Sequence, residues 1–192
     1  MSEAILRTRR WTRVEYDRLI DKGVFQPDER LELLAGHLVV REPQGDPHIL
    51  AIERLNEVLR GAFGPEWRVR IQLPIALDDE SEPEPDVSVA AGRPLETTEA
   101  KPSRLALVVE VADTSLVFDR GHKGSLYARA RMREYWVVNL VDRVLEVYRD
   151  PAPDASAPYG WGYRVALTLG LDDHVTPLAA PSAHIVVADF LP

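Results

Sequence analysis

The chain has no cysteine among its 192 residues, which rules out disulfides and thiolate metal sites and suits a reducing compartment. No apolar run is long enough to span a bilayer, and the opening Met-Ser-Glu-Ala-Ile-Leu-Arg-Thr-Arg-Arg lacks the apolar core of a secretory signal, so a cytoplasmic location is expected. Positive charge is the minority sign. With 23 Lys and Arg against 31 Asp and Glu, a formal charge of −8, the chain does not read as a protein that coats nucleic acid by bulk electrostatics. The arginines at 7, 9, 10 and 13 and at 129, 131 and 133 read first as solvated faces, although either group is dense enough to form a local basic cleft. Gly-x-Ser-x-Gly, His-Glu-x-x-His and EF-hand patterns are all missing, and Gly121-His-Lys123-Gly-Ser125 lacks the first glycine of a P-loop. No Gly/Ser-rich or charge-block linker divides the chain, so a single domain over 1–192 is expected, with its core at about 30–150 and the strands of 161–187 belonging to it.

What is present alternates between helical and extended patterns. Thr12-Arg-Val-Glu15 fits a capping box, with Tyr16, Leu19 and Ile20 as an apolar face and Gly23 as the stop, predicting a helix over 12–22. Arg30-Leu-Glu-Leu-Leu34 and His37-Leu-Val-Val-Arg41 flank Ala35-Gly36 as a hairpin, with Glu32 pointing to the opposite side from Leu31 and Leu33. Ile49, Ile52, Leu55, Leu59 and Phe63 predict an amphipathic helix over 48–63, with His48 on or beside its buried face. Residues 67–77 alternate as a half-buried strand despite Pro74, with Gln72 on its polar side beside Arg70, either facing solvent or approaching a metal-bound water. A short strand at 86–91 and a polar connection from 92 to 102 lead to the run at 105–112. A helix beginning at Asp119 as its N-cap, a hairpin around Val141-Asp142, a loop over 151–160, a strand at 161–169 and at most one short strand near 183–187 complete the reading. The order points to an α/β (α+β) fold on a mixed sheet. The tryptophans at 67, 136 and 161 read as packing residues.

One feature is out of place in that scheme. The run Leu105-Ala-Leu-Val-Val-Glu110-Val-Ala112 reads as a buried central strand with one carboxylate inside it. Unpartnered, that carboxylate would cost several kcal/mol, roughly, so it must be neutralised, paired or bound to a cation. If 86–91 lies antiparallel beside it, Asp86 comes close to Glu110, and two neighbouring carboxylates share a site with a proton or a cation between them. Two oxygen ligands, with water and phosphate completing the shell, suit Mg²⁺. Lys123 falls with Leu126, Tyr127 and Ala130 on the inward face of the following helix, where it needs a negative partner.

Pro85-Asp86 followed by Val-Val-Glu110-Val resembles the PD-(D/E)XK nuclease pattern. The wider string, comprising Arg30 to Pro43, His48 and its helix, Glu84-Pro-Asp-Val87, Leu107 to Val111, Asp119 to Lys123 with Tyr127, and Glu134-Tyr-Trp-Val-Val138, is similar to the Uma2 (DUF820) family of restriction-endonuclease-like proteins. The resemblance implies a nuclease-like core, an N-terminal helix and hairpin, and an endonuclease that uses Mg²⁺ or Mn²⁺ to hydrolyse DNA. In it Asp86 and Glu110 hold the metal, Lys123 positions water or steadies charge, and Glu32, His48 and Tyr127 assist. Ala112 stands where the plain nuclease motif has its lysine, so Lys123 takes that role. Double-strand cleavage needs two cutting centres, hence an expected homodimer. A nuclease-fold binding module without catalysis is the alternative. A glycosidase using the two carboxylates leaves Lys123 unexplained.

Overall fold

The computed structural model describes residues 8–26, 29–41, 43–93 and 100–192. Arg7 and residues 94–99 of the polar connection lie outside them. The first helix, α1 (Arg13–Asp21), starts where its capping box dictates: the Thr12 hydroxyl accepts from the Glu15 amide at 3.3 Å, and the Glu15 carboxylate accepts from the Thr12 amide at 3.0 Å. Of its expected apolar face only Tyr16 is buried; Ile20 is 48% exposed. The Tyr16 hydroxyl donates to the Leu31 carbonyl at 2.7 Å, tying α1 to the next element. That element is the expected hairpin, β1 (Leu31–Leu34) and β2 (His37–Val40), turning through Ala35 (φ 47°) and Gly36 (φ 80°). Two successive left-handed residues are what a two-residue hairpin turn of matching twist requires.

Helix α2 (Asp46–Phe63) begins with Pro47 in its first turn, where a missing N–H leaves nothing unsatisfied. Ile52, Leu55, Leu59 and Phe63 are buried as expected, but Ile49 is exposed. At roughly 100° per residue, Ile49 sits a quarter-turn off the stripe, while His48 lies near its centre.

Six strands then build one sheet in the order of the chain: β3 (Trp67–Ile71), β4 (Val87–Ala91), β5 (Leu105–Ala112), β6 (Glu134–Asn139), β7 (Val144–Pro153) and β8 (Trp161–Leu169). The β5–β6 pair is parallel and the other neighbours are antiparallel. Two sequence expectations change here. The strand expected over 67–77 ends at Ile71, because Gln72 adopts φ 47° and Pro74 cannot donate to a ladder. The loop expected over 151–160 gives its first residues to β7: past the last β6 pairing at Arg149, Pro151 and Pro153 pair only with β8, so their missing donors leave no gap. The tail carries two short strands rather than one, β9 (His174–Val175) paired with β10 (Ile185–Val186).

A parallel pair needs a crossover, and residues 113–133 supply it. It runs through α3 (Leu116–Phe118), a π-helical turn (Asp119–Lys123) and α4 (Gly124–Arg129). Asp119 is therefore not the N-cap that the sequence suggested. The helix has already begun at Leu116, and Asp119 is buried within it, with its carbonyl accepting from the Gly124 amide across the wide turn.

The two-residue period of the strands separates two cores. Val87, Val89, Leu107, Val109, Val111, Trp136 and Val138 pack against α2 and Phe190 on one face. Val108, Ala112, Tyr135 and Val137 pack with Tyr127 and Met132 on the other. Glu110 alternates onto this second face, beneath the crossover, and the Val87–Val109 pairing brings Asp86 beside it. Among the described residues no helix is long and apolar enough to cross a membrane.

Candidate active site

Four side chains, Asp86, Glu110, Lys123 and Tyr127, meet where β4 begins and β5 nears its end. Glu110, 2% exposed, accepts from Lys123 Nζ at 3.0 Å and from the Tyr127 hydroxyl at 2.6 Å, both through Oε1. Its Oε2 receives only a long 3.4 Å contact from the Asp86 amide. Asp86 Oδ2 accepts from the Val111 amide at 2.9 Å, so the carboxylate of one strand is pinned to the backbone of its neighbour. The expected antiparallel juxtaposition of Asp86 and Glu110 is thus present, with Lys123 bonded to the latter.

The hairpin and the N-terminus of α2 close the remaining sides. Glu32, also 2% exposed, accepts from Lys123 Nζ at 3.3 Å through Oε1, while its Oε2 is buried with no hydrogen bond. His48 Nε2 stands 3.2 Å from Asp86 Oδ2 but without hydrogen-bond alignment. All six residues singled out from the sequence therefore line or support one place, a pocket of about 320 Å³.

Four more residues belong to it that the sequence did not single out as catalytic or metal-holding. Arg41 spans Glu32 (Nε, 3.0 Å), Glu84 (Nη1, 3.1 Å) and Asp86 (Nη2, 3.2 Å). Gln44 and Gln72 each donate to Asp86 Oδ1, at 3.2 and 3.3 Å. Of the two expectations for Gln72, solvent or the site, the structure has the second: the left-handed backbone that ends β3 turns it inward. Asp119 sits in the pocket wall and accepts from the Ser115 hydroxyl at 2.5 Å.

Charge decides how these groups behave. Glu32, Asp86, Glu110, Asp113 and Asp119 face the pocket with only Arg41 and Lys123 as fixed cations, an excess of three formal negative charges. Burial pushes Glu110 up to about 8, against the pull of Lys123 and with the neighbouring carboxylates adding to the rise. Burial likewise carries Asp119 to about 6, opposed by Lys123 and the Ser115 hydrogen bond. Asp86 goes the other way: burial alone would raise it, but the His48 imidazole, Lys123 and the Val111 amide hold it below the ordinary range. Burial favours neutral Lys123, yet Glu110, Glu32, Asp119 and Asp86 hold it firmly charged. Lys123 and Glu110 thus make opposite demands on one proton. The lysine's charge is the firmer, because four carboxylates face it while Glu110 has one ammonium.

An oxygen-rich wall with a negative excess suits a hard divalent cation. Glu32 Oε2 and Glu110 Oε2 are the oxygens short of partners. Among the described residues no three His, Asp or Glu side chains already stand in a metal-holding group. The donor set fits a cation held by two carboxylates and completed by water, not a closed protein cage.

The family model described as "Uma2: Putative restriction endonuclease" matches residues 13–176. No curated protein matches the chain. Among solved structures, the 1.96 Å crystal structure of "a putative nuclease belonging to DUF820" from Anabaena variabilis ATCC 29413 superposes with a TM-score of 0.68, covering 94% of this chain and 97% of that one at 16% identity. At that identity the likeness is one of fold, a nuclease-like α+β arrangement. The family model spans most of the chain, carboxylates and lysine included, and the chain belongs to the Uma2 family.

Proposed function

We propose that this protein is a divalent-metal-dependent endonuclease that hydrolyses phosphodiester bonds in DNA, acting as a cytoplasmic homodimer. The observation that carries the reading is the Lys123 ammonium, 3.0 Å from Glu110, inside a pocket with surplus negative charge. A structural ion pair would need one carboxylate; this lysine faces several, as it would beside a site built for a further cation.

Asp86 and Glu110 would hold Mg²⁺ or Mn²⁺, with Glu32 in the same wall. When bound, such an ion supplies charge neutralisation at the phosphate and acidity to a water. Lys123 orients that water or steadies the charge that develops on the phosphate oxygens. Tyr127, through its bond to Oε1, fixes which Glu110 oxygen is left for the ion. His48, its Nε2 3.2 Å from Asp86 Oδ2, would assist by steadying that carboxylate for the ion.

Plasmid nicking in Mg²⁺ or Mn²⁺ tests the reading. Glu110→Ala and Lys123→Ala are each expected to lower the cleavage rate by about a hundredfold or more. Equal cleavage by the wild type and both variants would sink the mechanism. One observation favours a non-catalytic binding module, the net charge of −8. Calorimetry separates the two, since the module reading expects no carboxylate-dependent metal binding.

A further inference from the structure

We propose that Arg41 is the pocket's resident counter-cation and competes with a divalent ion for Asp86 and Glu32. The inference deepens the metal-dependent reading and rests on it. The guanidinium is 9% exposed, lines the pocket and touches carboxylates from three separate stretches at 3.0 to 3.2 Å: Glu32, Glu84 and Asp86. Unlike a lysine or histidine, an arginine does not yield its site by losing a proton; it has to move.

Acceptor capacity makes the competition specific. A carboxylate offers roughly four acceptor positions. Asp86 already receives Arg41, Gln44 and Gln72 on Oδ1, and its Oδ2 is faced by the Val111 amide at 2.9 Å and His48 Nε2 at 3.2 Å, so a cation joins Asp86 only if one of these groups gives way. The Val111 amide is fixed in β5, and the glutamines are neutral. Arg41 is the donor whose charge opposes an arriving cation. It also has somewhere to go: Glu84, its outermost partner, is 29% exposed, so the side chain retracts toward solvent while keeping one ion pair. Donors freed in that movement lie at the pocket, where a phosphate oxygen can accept them bidentately.

Mn²⁺ binding to the full chain, by calorimetry, tests this on wild type, Arg41→Gln, Arg41→Lys and Glu110→Gln. Arg41→Gln is expected to bind Mn²⁺ about tenfold more tightly than wild type, with Arg41→Lys between them, since one ammonium cannot span three carboxylates. Mn²⁺ should also raise the melting temperature more in Arg41→Gln than in wild type. Equal or weaker binding by Arg41→Gln overturns the competition alone, provided Glu110→Gln loses binding. Absence of binding in every protein overturns both the competition and the metal-dependent reading. Where Arg41→Gln does not fold, Arg41→Lys decides, and an affinity at or below that of wild type overturns the proposal.

Discussion

At Glu110 and Asp119 the fold works against ionisation, and that has a direction in pH. Glu110 moves from 4.5 to about 8 and Asp119 from 3.8 to about 6, so the native state binds more protons than the unfolded chain between those values. Their contribution is whole below the unfolded values and is lost as pH rises through the native ones. Metal-free protein in chelator should therefore lose stability from about pH 5 to 8, by up to ~1.4 kcal/mol per pH unit for each group, and Glu110→Gln should flatten the curve. Thermal melts across that range check it; a rise in stability over the window would contradict the assignment. Glu110 and Lys123 were legible in the sequence because each broke a pattern, an acid inside an apolar run and a lysine on an inward face. Arg41, Gln44 and Gln72 broke none. Polar side chains at the ends of elements look like ordinary surface, and only the left-handed backbone at Gln72 turns it inward.

Among the elements, the β1–β2 hairpin sets Glu32 and carries the chain on to Arg41, and its turn has no slack. A Cβ at Gly36 would meet the Arg10 Cβ at 2.7 Å, and the residue holds φ 80°. Gly36→Ala is expected to destabilise the protein by about 1–3 kcal/mol. Urea melts measure it, and an unchanged midpoint would mean that the turn is not the constraint described. The hairpin was legible because its turn chemistry is local. The crossover was half legible. Period-3.6 reasoning put Lys123, Leu126 and Tyr127 on one face, and all three are buried. The same reasoning misplaced Asp119, because a wide turn widens for tertiary reasons that residue spacing does not carry. The strand expected to reach 77 failed similarly: alternation continued beyond the point where Gln72 and Pro74 end the ladder.

For the molecule as a whole, each chain contributes one pocket of this kind, so the proposed double-strand cleavage requires a second copy. Sedimentation is expected to give twice the chain's 21.6 kDa, and plasmid should pass to linear form as well as nicked. A monomer at cleaving concentrations would remove the dimer from the proposal. That the sheet is mixed followed from the sequence of elements; partner choice at a surface did not, because exposed side chains encode no period. The pocket has one further consequence. The ion pairs from Arg41 and Lys123 clip together the hairpin, the residue that leads into β4, the end of β5 and the crossover. The same charges serve as fastener and as workplace, so a substitution that removes either cation loosens the fold and disables the workplace together.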